Sequence, residues 1–376
     1  GLEPACVVVC PTEALMVGDL SDPDSRVAQM VNREPVTVRR PEKDTRPKLF
    51  YRGAHQATLD PLAARRPEGG IFMWSEQLAS SHHVVAGNPE AHNTSAAAVL
   101  AYDVPHRTPW DWRVSLYTLT KGIAAGVYLM AWLFMAFEAF ESTGPMWQWA
   151  TPLLGLAFLG ITGGLLIWDL EHPLRFYMIF TKSHWRSWLV KGSYIIGGYS
   201  LVLTVHFLAS LLGKPAWQSS LALPIGLILA ILTSVYTAYL FAQARARDLW
   251  QSPLLPPHML IQTLVAGTAI LIPCAAVLEP YTVVPLLRFL SAFSLIHLLL
   301  VVGEMTLTHA TAHARLASHE MTAGRFKGAF WTGMVFAVLS VAAPIIGPVV
   351  AVPAALVAIL AYEHAYVQAG QAVPLA

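Results

Sequence analysis

Two groups of residues in this chain have the types and spacing of chemistry. The first is Cys6 and Cys10 in ACVVVCP, two thiols four residues apart and followed at once by Pro11. Thiolates are soft ligands suited to iron–sulfur clusters. Cys-x-x-x-Cys-Pro is the second half of the run Cys-x-x-Cys-x-x-Cys-x-x-x-Cys-Pro, whose last cysteine ligates the neighbouring cluster. By spacing alone the pair reads either as metal ligands or as two buried structural cysteines. The second group is WDLEHPLRFYMIFTKSHWRSW, from Trp168 to Trp188, where Asp169, Glu171, His172, Arg175, Lys182, His184 and Arg186 lie between two apolar segments. Ionisable groups at bilayer depth are costly and point to function. Asp169, His172 and Arg175, nearest the helix end, are read as functional. Lys182, His184 and Arg186 are read as a solvated loop with cationic anchors.

Elements that can position such groups follow from composition. Of 376 residues, 55% are hydrophobic and 12% charged, with a mean hydropathy of +0.51, far from the balance of a soluble domain. An integral membrane protein with a polar extension is expected, its partner being the lipid bilayer. A net charge of +1 gives no reason to expect nucleic acid. Three cysteines cannot build a disulfide framework, and Cys274 reads as a small apolar residue. Gly1 is not an initiator, and no basic stretch precedes an apolar one at the start. The reading expects a chain continued upstream, with further Cys-x-x-Cys motifs there.

Eight apolar segments follow Pro109, each near the roughly 20 residues that a membrane helix needs: 115–140, 148–168, 190–212, 220–243, 258–278, 282–304, 327–344 and 346–363. Eight crossings put both ends on one side. Small residues in KGIAAG (Lys121 to Gly126) and ITGGLL (Ile161 to Leu166) permit close helix packing. On the side shared with the N-terminus the loops carry Arg175, Lys182, Arg186, Lys191, Arg245, Arg247, Arg315, Arg325 and Lys327, against Lys214 opposite. Basic loops stay cytoplasmic, so both termini are expected in the cytoplasm of a bacterial inner membrane. Residues 56–108 read as a linker over a partner's surface, with His82 and His83 exposed.

Polar residues gather at the loop-side ends of four segments: Arg113, Tyr117 and Lys121; Asp169 and His172; Tyr236, Tyr239 and Gln243; His297 and Glu304. The opposite ends look nearly bare. A one-sided set of this kind suits quinone chemistry, which needs donors for two carbonyl oxygens and groups that move two protons. Lys121 reads equally as a partner of Asp169 or of charge on a quinone oxygen, and as a snorkelling lysine. His309 and His313, four apart, are expected on one helix face, as metal or haem ligands or, more simply, as part of a polar interfacial helix. His206 and His297 read as buried core histidines, although His297 near Arg288 and Glu304 fits a proton path.

GLEPACVVVCPTEAL, GDLSDPDSRVA and TRPKLFYRGA together resemble the fourth cysteine motif of multi-cluster ferredoxin subunits that serve molybdopterin oxidoreductases, over residues 1–55. The resemblance implies that Cys6 and Cys10 ligate different 4Fe-4S clusters, but the two earlier cysteines of the motif are missing. YTLTKGIAAG, the WDLEHPLRF loop and GEMTLTHATAHARLA resemble the eight-helix NrfD and polysulfide reductase membrane subunits, over residues 110–363. That family holds a quinone headgroup near the ferredoxin interface. The resemblance therefore implies Tyr117 as a headgroup donor, with Arg113 beside it, and Asp169 and His172 as proton acceptors. Lys121, Arg175 and Glu304 complete the candidate catalytic set, and His172 is also placed in the binding set. The fold expected is an all-α integral membrane protein, with eight transmembrane helices preceded by the tail of a ferredoxin-like iron–sulfur domain and a long linker. Its units are 1–55, 56–108, 109–365 and a tail at 366–376. The implied function is electron transfer between menaquinone or ubiquinone in the quinone pool and clusters that serve a molybdopterin-containing catalytic subunit. The competing reading is a transporter or proton-translocating module with a docking ferredoxin remnant. It is disfavoured because no repeat relates the two halves.

Overall fold

Runs of apolar residues with no polar face cannot stop at a water-facing surface, so they form helices buried on all sides by protein or lipid. The computed structural model describes residues 3–39, 41–53, 110–307, 309 and 311–373, without the side chains of 42, 220, 221 and 312. The expected linker 56–108, with His82 and His83, lies outside the described residues. After a short helix α1 (Ala5–Val9) come α2 (Arg26–Arg33) and a small antiparallel ribbon, β1 (Val36–Val38) and β2 (Phe50–Arg52), in register Val36↔Arg52. The bundle consists of α3 (Trp112–Ala136), α4 (Thr151–Asp169), α5 (Trp188–Leu211), α6 (Leu223–Ala242), α7 (Leu255–Leu278), α8 (Val283–Thr306), α9 (Ala312–Thr322), α10 (Lys327–Val341) and α11 (Pro348–Ala372).

Seven helices among the described residues are long and apolar enough to cross a membrane, and the protein is membrane-integral. The seventh expected segment, 327–344, is broken. α10 has 15 residues, about 22 Å at 1.5 Å per residue, short of the roughly 30 Å of hydrocarbon. A separate turn, Ala343–Ile346, carries Pro344 in its first turn, where the missing N–H is tolerated. The chain then reverses at Gly347, whose φ of 77° suits glycine. α11 instead runs beyond its expected end, to Ala372. Its extra turns hold Tyr366, whose hydroxyl donates to the Leu249 carbonyl at 2.9 Å, and Gln368, whose amide donates to the Trp110 carbonyl at 3.0 Å. Those bonds bring the start of α3 beside the end of α11.

α3 is the axis of the bundle: 78% of its most apolar stretch is buried, against 22% for α5. It packs on α4, α6, α7 and α11. The remaining helices turn rows of large apolar residues outward, Leu201 and Leu299 among them, as a lipid-facing surface must. The glycines of KGIAAG behave as expected. A Cβ on Gly126 would stand 2.0 Å from the Thr263 carbonyl oxygen, and one on Gly267 would stand 2.1 Å from the Gly126 carbonyl carbon. The backbones of α3 and α7 therefore touch. ITGGLL does not repeat this, because Gly163 and Gly164 face nothing within 4 Å.

Gly126→Ala and Gly267→Ala are therefore expected to destabilise the bundle by ~1–3 kcal/mol or more through overpacking. Gly164→Ala is expected to leave it unchanged or slightly firmer, since glycine inside a helix costs ~0.5–1 kcal/mol relative to alanine. Thermal unfolding of the three variants in detergent checks both, and equal stability of Gly126→Ala and Gly164→Ala would refute the backbone contact.

Candidate functional site

At the loop-side mouth, Asp111 caps α3 by accepting from the Arg113 N–H at 2.8 Å. The Arg113 guanidinium lies 3.0 Å from Asp111 and 3.3 Å from Asp169, and donates to the Trp168 carbonyl at 2.7 Å. Asp169 is thus held by Arg113, not by Lys121. His172 and Arg175 sit exposed on the turn Pro173–Arg175, and the structure does not bring them to Tyr117, which is buried on α3.

Lys121 does not snorkel. Only 2% exposed, its ammonium donates to the Ser234 carbonyl at 3.0 Å and to the Thr237 hydroxyl at 2.8 Å, and lies 5.0 Å from the Tyr236 ring centre. Two hydrogen-bond acceptors and an aromatic face make an intramembrane lysine tolerable. Behind it, Thr118, Gln262 and Glu363 line a cavity of about 10 Å³, room for roughly one water. Oε2 of Glu363 is buried there without a hydrogen-bond partner among the described residues.

Glu304 belongs to a second buried cluster. Its Oε2 accepts from the Tyr362 hydroxyl at 3.0 Å and lies 3.3 Å from Nδ1 of His258. Nε2 of His258 meets Nδ1 of His297 at 2.8 Å. Arg288, expected near His297, is exposed and nine residues away on α8, about 14 Å along the axis. The opposite side of the bundle is not bare. Glu279 is buried there and accepts from the Met146 N–H at 3.2 Å, and His206 is fully buried between Tyr128 and Trp147.

The loop after α4 is a dock, not only a solvated anchor. His184 Nδ1 meets the Cys10 carbonyl at 2.7 Å, and the His184 N–H donates to the Pro11 carbonyl at 3.0 Å. The Ser187 hydroxyl donates to the Val9 carbonyl at 3.0 Å, and Arg186 pairs with Glu3. Alongside lies a cavity of about 250 Å³, lined by Val8, Val9, Trp188, Tyr239, Gln243 and Arg245 among others. Trp188 and Tyr239 stack with centroids 4.6 Å apart. Cys10 Sγ accepts from the Ala14 N–H at 3.1 Å, and Cys6 is exposed. Two thiolates are half of the four that a cubane cluster needs, and the described residues contain no group of three metal-ligating side chains. They do not by themselves hold a cluster.

His309 and His313 do not share a helix. Thr311 caps α9, its hydroxyl accepting from the Ala314 N–H at 3.1 Å, and so leaves His309 in the preceding loop. His313 is 7% exposed, and neither ring nitrogen has a hydrogen-bond partner among the described residues. Burial pushes its imidazole below the usual histidine range; Asp248 opposes the shift and Arg247 adds to it.

Sequence reasoning missed His184 and Ser187 as contacts, and His258, Tyr362 and Glu363 as members of buried clusters. For the last three a signal existed, since a histidine, a tyrosine and a carboxylate stand inside or at the edge of apolar segments. Nothing marked the partners.

Apolar helices, lipid-facing rows and a polar mouth on which a cysteine-bearing segment docks define a polytopic membrane protein. Residues 102–367 match the family described as polysulphide reductase, NrfD, and the protein belongs to that family. Its N-terminal region is similar to iron–sulfur subunits. One subunit of the tetrathionate reductase of Salmonella typhimurium is 40% identical over 78 residues, 20% of this chain and 30% of that protein. One component of the polysulfide reductase of Wolinella succinogenes is 48% identical over 50 residues, 13% of this chain and 26% of that protein. Protein NrfD of Escherichia coli is 25% identical over 185 residues, 43% of this chain and 58% of that protein. The chain thus spans less than a third of those iron–sulfur relatives and 58% of the NrfD protein.

Two outcomes are expected. His184→Ala removes a hydrogen bond with a net worth of ~0.5–1.5 kcal/mol, so amide exchange of Val7 to Cys10 rises about three- to tenfold while the bundle helices are unaffected; unchanged exchange would show that the dock is held elsewhere. For His313, a folded-state value below the unfolded one means that stability is full above about pH 6.5 and falls as pH drops below it, by at most ~1.4 kcal/mol per pH unit. His313→Gln should flatten that part of the pH dependence of thermal unfolding.

Proposed function

We propose that the chain is the quinone-reactive membrane subunit of a respiratory reductase complex, passing electrons between the quinone pool and iron–sulfur clusters that serve a molybdopterin-containing catalytic subunit. The observation that carries this reading is the seat of the Cys10 carbonyl on His184. It sets a cluster-type cysteine run at the mouth of an NrfD-family bundle, beside a cavity of about 250 Å³. Families of iron–sulfur subunits that resemble the N-terminal region support the same partner class.

A bound quinone would supply two-electron, two-proton chemistry; the protein's part is to bind, orient and handle protons. The cavity beside Lys121 has room for about one water, so the ring is assigned to the interface cavity. There the Trp188–Tyr239 stack offers an aromatic wall, and Arg186 and Arg245 offer donors to carbonyl oxygens. Gln243 is already engaged, accepting from the Trp188 N–H at 2.9 Å, and so fixes the wall. Tyr236, one turn from Tyr239 on α6, leads inward to Lys121 and Tyr117, which are proposed as proton-handling groups with Arg113 and Asp169 at the rim. His172 and Arg175 stand at the exposed loop as proton exit groups. α10 with the turn at Ala343–Ile346 is proposed as the eighth crossing, its 20 residues matching the thickness of the bilayer. The basic loop face is proposed as cytoplasmic, in the inner membrane.

Electron paramagnetic resonance of the full-length protein in membranes tests the reading. A quinol analogue is expected to reduce four-iron signals. Tyr239→Ala is expected to slow that reduction about tenfold, equivalent to ~1.4 kcal/mol of barrier, and Tyr117→Phe to slow it less. Clusters present but indifferent to quinol would make the helices an anchor and end the proposal.

A further inference from the structure

The cluster of His258, His297, Glu304 and Tyr362 has the connectivity of a wire. His258 faces a partner through both nitrogens: Nδ1 lies 3.3 Å from Glu304 Oε2 without forming a hydrogen bond, and Nε2 meets Nδ1 of His297 at 2.8 Å. The two outer atoms, Oε1 of Glu304 and Nε2 of His297, are buried and have no hydrogen-bond partner among the described residues. All four side chains are at least nine-tenths buried. A buried polar group without a partner costs ~1–3 kcal/mol, and two at opposite ends of one chain are hard to explain as packing. The tyrosine fixes the geometry. Its hydroxyl donates to Glu304 at 3.0 Å, and its ring lies 5.1 Å from that of His258 and 5.2 Å from that of His297.

The wire has a direction. Glu304 stands two residues from the loop-side end of α8 and His297 nine residues from it, about 3 and 14 Å deep along the axis. One turn deeper on the same face of α8, Ser294 is buried and its hydroxyl meets that of Ser340 on α10 at 2.7 Å. Other ionisable groups facing the cluster are Glu363 and Tyr366 of α11, with Lys121 of α3 beyond Glu363. Neither metal nor haem fits, since the imidazoles meet each other directly and the described residues hold no metal-ligating group of three.

We propose that these residues form a proton relay that moves protons between the loop-side face and the middle of the membrane, a function separate from holding a quinone. A proton on Glu304 passes to Nδ1 of His258. The proton on Nε2 of His258 passes to Nδ1 of His297, and the proton on Nε2 of His297 leaves at the deep end. One proton enters, one leaves, and no electron moves. Afterwards both rings carry their proton on Nδ1, and ring rotation resets them. The 3.3 Å approach at Glu304 lies off hydrogen-bond alignment and closes by a small rotation of the carboxylate, as resting catalytic geometries often require.

The test uses the full-length protein with its complex in sealed vesicles, following proton movement with a trapped pH dye and quinol-driven cluster reduction by paramagnetic resonance in the same sample. Glu304→Gln and His297→Gln are expected to cut protons moved per electron about tenfold, with cluster reduction in His297→Gln within about threefold of the parent. Tyr362→Phe, which keeps the ring, is expected to give a smaller loss and guards against misfolding of the others. Unchanged proton movement in all three variants overturns the relay, and equal loss of protons and electrons overturns it as a separate function. If quinol reduces no cluster even in the parent, the electron-transfer reading fails alone. Infrared pH titration of the full chain then decides: the carboxyl band lost in Glu304→Gln must shift its midpoint in His297→Gln, and an unmoved band sinks the relay.

Discussion

The contact of α3 and α7 at Gly126 and Gly267 is the constraint from which the interior follows. With the two backbones in touch, side chains a turn or more toward the loop-side mouth are brought within reach of each other. Lys121 of α3 and Gln262 of α7 line one cavity, and the first turn of α7 carries His258 inward beside α8 and α11. A wider spacing between these axes would let lipid or further side chains enter. The buried ionisable groups would then lose the fixed neighbours that make them tolerable at this depth.

Hydrocarbon offers no hydrogen bonds, so polar side chains within the bundle must find protein partners or pair with one another. Most do so locally. Thr162, Ser193, Ser200 and Thr204 return their hydroxyls to the carbonyl four residues back, at little cost to the helix. Lys121 and Tyr128 reach across to carbonyls of a neighbouring segment. The exceptions among the described residues include open atoms of Glu304, His297, His258 and Glu363, together with both ring nitrogens of His206 on α5 and the Thr233 hydroxyl on α6. Those of Glu304, His297, His258 and Glu363 lie on α7, α8 and α11, whereas the cysteine-bearing segment docks on the loop between α4 and α5. The docked segment and this buried cluster are thus carried by different helices.

The docked segment and the family match reinforce each other from unrelated directions. The bundle belongs to the NrfD family by its helices, the N-terminal region is similar to iron–sulfur subunits, and the hydrogen bonds of His184 and Ser187 join the two parts. Joining a segment similar to iron–sulfur subunits and an NrfD-family bundle in one chain makes their contact a standing one, which raises effective concentration without new interactions.

The apolar runs, the cysteine spacing and the small residues of KGIAAG were legible because each is a property of neighbouring positions: hydropathy sums along a window, and a cluster motif is a local spacing. The sequence by itself therefore determined a membrane bundle, its loop-side mouth and the kinship of both parts. It did not reveal that the seventh of the eight runs breaks before Pro344, since a proline's effect depends on what the chain does next. Nor could it separate Gly126, pressed against α7, from Gly164, which faces open space, although the two look alike along the chain. Only the tertiary structure decided that Cys10 meets His184 across 174 positions and that His258 meets His297 across 39. The reason is physical. Hydrophobicity acts residue by residue and can be read in one dimension, whereas a hydrogen bond between distant side chains exists only after backbone packing has fixed the distance and angle between two helices.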